Sequence, residues 1–127
     1  MITIFENARL FDGMAGDCPE CVSVLVEGDT IREVSDRPIV ASAQRRIDAG
    51  GRTLMPGLID LHVHAYASHV NLQLVETAGQ PYNTAHAARM LGHALDCGFT
   101  TVRDIGGGDW SLAAAIRDGL IRSPRFF

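Results

Sequence analysis

His62 and His64 stand one residue apart at the end of the run Leu54-Met-Pro-Gly-Leu-Ile-Asp-Leu-His-Val-His-Ala-Tyr66. Imidazole binds divalent ions well, and two imidazoles on one strand face can share a single ion. Side chains at i, i+2 and i+4 of a strand point the same way. Regular alternation therefore predicts Asp60, His62 and His64 on one face and Ile59, Leu61 and Val63 on the other. A lone His-x-His is common on strands and loops; a Pro-Gly turn, an apolar strand, an Asp and then His-x-His is much more specific. The structural alternative is a histidine pair hydrogen-bonded in a core or exposed at a strand end. Burying two imidazoles side by side without a partner is costly, which favours the metal reading.

Three further residues could serve the same site. Asp60 could hydrogen-bond a ligand imidazole and fix its tautomer, or be a structural carboxylate. Asp104 ends a second strand before Gly106-Gly107-Gly108, where it either faces substrate or fixes the loop and caps the next helix. His69 reads as a solvent-facing loop residue, with substrate contact as the alternative. His86 and His93 fall on the polar face of a helix and read as surface residues without a metal role.

A polar row beside an apolar row suits a strand of a parallel barrel, with the apolar row under helices and the polar row at the barrel's C-terminal mouth. Residues 1–52 read as all β. Ile2 to Phe11 form one strand, Val22 to Glu27 and Thr30 to Val34 form a hairpin about Gly28-Asp29, and Arg46 to Ala49 add another strand. Gly50-Gly51-Arg52 links this region to residues 53–127. There the pattern predicts a short helix over Leu72 to Ala78 and a longer one from Asn83 or Thr84 to Cys97. The longer helix presents Ala87, Leu91, Ala94 and Leu95 as its apolar stripe. A strand over Thr100 to Ile105 follows. Next comes a helix capped by Asp109, with Leu112, Ala115, Ile116, Gly119 and Leu120 on its apolar face and Ser123-Pro124 breaking it. Arg125-Phe126-Phe127 reads as the opening of a third strand.

The run from Thr53 to His64 resembles the first barrel strand of the metal-dependent amidohydrolase superfamily, and Gly98-Phe-Thr-Thr-Val-Arg-Asp-Ile-Gly-Gly107 resembles its second strand and loop. Residues 113–127, with Arg117-Asp-Gly-Leu-Ile-Arg-Ser-Pro-Arg-Phe126, are similar to the imidazolonepropionase-like and Xaa-Pro or Xaa-Arg dipeptidase-like branch. The resemblance implies an α/β fold: the start of a (β/α)8 TIM-like barrel preceded by part of a small all-β sandwich. It also implies a divalent metal cofactor, zinc in one or two copies, with His62 and His64 as ligands of the more buried ion. The bridging carboxylate, two further histidines and a proton-transferring aspartate would come from later strands. Such a barrel needs about 250 residues, so the expectation is the N-terminal part of a longer enzyme, inactive alone.

Composition narrows the class. All eleven basic residues are arginine, so these 127 residues cannot supply the carboxylated lysine that often bridges the metals in that superfamily. A net charge of −4 with no basic patch argues against nucleic acid or an anionic membrane as partner. No signal peptide or membrane-length apolar run is read in the chain. Cys18, Cys21 and Cys97 are odd in number, which fits a reducing, cytoplasmic setting, and Cys18-Pro-Glu-Cys21 lacks the second pair of a structural zinc site. The expected activity is hydrolysis of an amide bond in a dipeptide or other small-molecule substrate, with homo-oligomerisation implied by the resemblance. The alternatives are a cyclic-amide hydrolase or deaminase of the same superfamily, and a non-catalytic scaffold with no need of His62 and His64.

Overall fold

A computed structural model describes residues 1–127. The chain forms two compact units, Met1–Pro56 and Gly57–Phe127.

In the first unit, β1 (Ile2–Leu10) is central. It pairs antiparallel with β2 (Val22–Glu27), which turns through Gly28 and Asp29 into antiparallel β3 (Thr30–Ser35). Gly28 takes a positive φ of 64°, which a tight hairpin turn needs and glycine supplies without strain. On the other edge β4 (Arg45–Asp48) and β5 (Thr53–Leu54) run parallel to β1, so Thr53 and Leu54 belong to this sheet and the unit extends to Pro56. Ile4, Leu25 and Ile39 form its core on one face. On the other, Phe5, Val24, Val26, Ile31 and Val34 line an apolar groove of about 300 Å³.

The second unit is a three-stranded parallel sheet in the order β6 (Leu58–Val63), β7 (Phe99–Asp104), β8 (Arg125–Phe126). Parallel neighbours need long crossovers. Here α1 (Leu72–Ala78) and α2 (Gln80–Asp96) connect β6 to β7, and α3 (Trp110–Arg117) connects β7 to β8. Ala87 and Leu91 of α2, Val102 of β7, Leu112 of α3, and Ala65 and Tyr66 after β6 make one buried cluster.

α2 and α3 each depart at one end from the pattern read in the sequence. α2 begins at Gln80, three residues before Asn83, with Gly79 at its cap and Pro81 in the first turn, where a missing N–H costs nothing. Asn83 is buried instead of capping: its Oδ1 accepts from the Ser68 hydroxyl at 2.8 Å and its Nδ2 donates to the Val75 carbonyl at 2.8 Å. α3 does start on Asp109, whose carboxylate accepts from the N–H groups of Ser111 and Leu112. The Ser111 hydroxyl and the Leu112 amide hold that carboxyl below its ordinary pKa. The helix stops at Arg117, before Ser123-Pro124. Gly119, at φ 74°, lets the Leu120 N–H bond to the Ala115 carbonyl and its own N–H to the Ile116 carbonyl, a helix-ending motif that leaves Leu120 outside the apolar face and 80% exposed.

Gly57 has a different role from turn flexibility. A β carbon there would overlap the Thr100 side chain, at the point where the Leu58 N–H bonds to the Gly98 carbonyl and β6 first meets β7. Gly57→Ala should destabilise the protein by about 1–3 kcal/mol, read as a lower urea midpoint, and adding Thr100→Gly should recover part of the loss. An unchanged midpoint for the single variant would show that the close approach is not needed.

Candidate metal centre

The pairing of β6 with β7 is not regular. Asp60 pairs with Val102 and Val63 with Asp104, so three steps on β6 match two on β7 and a bulge lies at Leu61-His62. The bulge breaks the alternation on which the grouping of Asp60 with the histidines rests. Asp60 instead lines a cavity with Val63, Val102, the α2 residues Met90 and His93, and Cys97 just past the end of α2. Ile59 and Leu61 are left 61% and 58% exposed, and not under helices as the alternation predicts. His62 and His64 are brought together nonetheless. Their ring centroids are 5.3 Å apart at an interplanar angle of 80°, and both rings are exposed.

The bulged peptide has its polar groups answered by side chains. The His62 N–H donates to Asp60 Oδ1 at 3.0 Å, and Arg103 Nε donates to the Leu61 carbonyl at 3.0 Å. On the other side of the pair, His64 Nδ1 lies 2.8 Å from the Gly106 carbonyl oxygen. A carbonyl can only accept, so Nδ1 carries the hydrogen and, in the neutral ring, Nε2 keeps its lone pair. Asp104 anchors this corner: Oδ2 accepts from the Ala65 N–H at 3.0 Å and Oδ1 from the Gly106 N–H at 2.8 Å. A β carbon on Gly108 would come within 2.5 Å of Asp104 Oδ2, so any other residue there would push against the carboxylate. Both Asp104 oxygens are thus engaged by backbone N–H groups of the loops after β6 and β7.

His69 is exposed and its ring stacks on Tyr82, with centroids 6.2 Å apart and planes 5° from parallel. His93 is exposed, with Nε2 3.5 Å from Cys97 Sγ. His86 is half-buried, not a surface residue, and its Nδ1 is enclosed without a hydrogen-bond partner. Arg103 and Gly106 also touch this site, and no motif announces either. Arg103 leaves a trace as a charge inside a strand, whereas Gly106 acts through its backbone and leaves none.

The donor set fits a borderline-soft divalent ion such as zinc: two imidazoles side by side, one with its second nitrogen already hydrogen-bonded as ligand histidines usually are. No group of three or more His, Cys, Asp or Glu side chains in these residues is placed to hold an ion. Catalytic zinc sites use three protein ligands and structural sites four, so His62 and His64 form a partial set.

Residues 45–119 match the model of the amidohydrolase family over more than half of the chain. The chain belongs to that family. It is 34% identical over 82 residues to the N-acyl-D-glutamate deacylase of Alcaligenes xylosoxydans xylosoxydans, a match covering 65% of this chain and 15% of that protein. It is 36% identical over 80 residues to the dihydroorotase of Geobacillus kaustophilus (strain HTA426), covering 62% of this chain and 16% of that one. The crystal structure of a prolidase complexed with N-methylphosphonate-L-proline superposes with a TM-score of 0.89 at 39% identity, over 100% of this chain and 31% of the prolidase. The chain thus spans under a third of the length of that structure and about a sixth of those curated relatives. Its fold is α/β, the start of a TIM-like barrel preceded by part of a small β-sandwich. No helix is long and apolar enough to cross a membrane.

Proposed function

We propose that these residues form the first part of a zinc-dependent hydrolase of amide bonds, with His62 and His64 as ligands of its ion. The observation that carries this is the histidine pair at the C-terminal end of a parallel strand, where barrel enzymes place their chemistry, with His64 Nε2 left available to an ion by the bond from Nδ1 to Gly106. A bound divalent ion supplies Lewis acidity and makes water a nucleophile near neutral pH.

The chain's own share of the work is positional. Water adds to the amide carbonyl carbon, the carbon–nitrogen bond breaks, and the amine leaves with a proton. His62 and His64 would hold the ion that supplies this Lewis acidity, and Asp104 fixes the loop beside them through its bonds to the Ala65 and Gly106 N–H groups. The proton-transferring group is assigned to none of the 127 residues. A dipeptide with proline on the C-terminal side, or an N-acyl amino acid, is the substrate class proposed. The prolidase and deacylase likenesses support that choice.

The test incubates the full-length protein with Xaa-Pro dipeptides, N-acyl amino acids and cyclic amides and measures amine or ring-opened product. Release of amine from one of the first two classes, lost with a chelator and restored by zinc, supports the proposal. Turnover of cyclic amides alone would replace the substrate class, and no turnover of any by zinc-loaded protein would overturn it.

A further inference from the structure

Two adjacent residues at the tip of β7 reach the backbone on either side of the histidine pair. Arg103 Nε donates to the carbonyl of Leu61, directly before His62, and Asp104 accepts from the N–H of Ala65, directly after His64. Each contact meets a backbone group outside the regular ladder, the first because of the bulge and the second because β6 has ended at Val63. Asp104 does more than close the end. Its second oxygen holds the Gly106 N–H, and the carbonyl of that same residue sets the hydrogen of His64 on Nδ1.

We propose that Arg103 and Asp104 are positioning residues for the His62 and His64 pair: Arg103 holds the bulge that aims His62, and Asp104 fixes the tautomer and ring of His64 through Gly106. The functional importance of this frame rests on the metal reading above, whereas its structural content does not. In a regular strand Asp60 would share the histidine face. The bulge takes it away and uses its carboxylate on the His62 N–H, so the geometry of His62 depends on Asp60 and Arg103 gripping one peptide unit from its two ends. Asp104→Asn replaces one acceptor oxygen by a donor facing a backbone N–H, which must release either Ala65 or Gly106.

The test uses full-length protein with Asp104→Asn, Arg103→Met and Arg103→Lys, each checked for folding by circular dichroism. In metal-free, histidine-labelled protein, nitrogen NMR should show His64 protonated on Nδ1 in the wild type and shifted toward Nε2 in Asp104→Asn. Zinc affinity against a competing chelator should fall by about 10- to 100-fold in Asp104→Asn and Arg103→Met, with Arg103→Lys closer to wild type. Wild-type zinc affinity in folded Asp104→Asn together with an unchanged His64 tautomer would overturn the proposal. Should Asp104→Asn fail to fold, the Arg103 pair decides, with equal affinity in Met and Lys variants counting against it. A wild type without zinc would sink the metal reading alone, because the tautomer measurement still tests the frame.

Discussion

Full-length protein carrying His62→Ala and His64→Ala together is expected to lose its zinc and with it at least about a 10³-fold share of kcat/KM. The magnitude follows from the several kcal/mol that a Lewis-acid ion contributes to an acyl-transfer transition state, at 1.36 kcal/mol per decade of rate. Both rings are exposed, so little packing is removed; the metal-free variant loses the His64 to Gly106 hydrogen bond, and its melting temperature should fall only slightly below that of metal-free wild type. The measurement is a steady-state assay on the best substrate of the panel, beside elemental analysis of the same samples. Activity within tenfold of wild type would mean that the pair is not part of the reacting centre.

The second large effect is in the core. Leu91 is fully buried on α2, in one cluster with Ala87, Val102 and Leu112. Leu91→Ala is expected to cost about 2–5 kcal/mol, the transfer term for the lost methyl groups plus the cavity they leave. Leu120 is 80% exposed beyond the end of α3, so Leu120→Ala should stay within about 0.5 kcal/mol of wild type. Denaturant unfolding of the two variants side by side checks the pair. Equal losses would show that the buried cluster does not hold the helices to the sheet.

Elements governed by local pattern were legible in the sequence. The hairpin follows from the alternation of Val22, Val24 and Val26 and the Gly28-Asp29 turn, α1 over Leu72–Ala78 has the bounds read from the chain, and Asp109 caps α3 as its side-chain chemistry suggests. What was not legible depends on approach between distant segments. Gly57 looks like a turn residue and is required by the nearness of Thr100. Gly119 looks like a small residue on an apolar stripe and ends the helix through its positive φ. Asn83 has the chemistry of a helix cap, yet its amide is spent on Ser68 and Val75 and α2 starts three residues earlier.

At the candidate site the same division holds. The histidine pair was visible because residue type and spacing carry it. The position of Asp60 was not, because one extra residue in β6 reverses a strand's two faces and no local pattern marks the bulge. Arg103 and Gly106 act on or through backbone groups, which one sequence read by side-chain chemistry does not reveal.

The most direct measurement is anomalous diffraction at the zinc edge from crystals of the full-length protein grown with zinc. An anomalous peak is expected, bonded at about 2.0–2.1 Å to a ring nitrogen of both His62 and His64, with His64 bound through Nε2 while Nδ1 stays on the Gly106 carbonyl. A peak elsewhere with none between these two rings, or an ion bound through Nδ1 of His64, would contradict it.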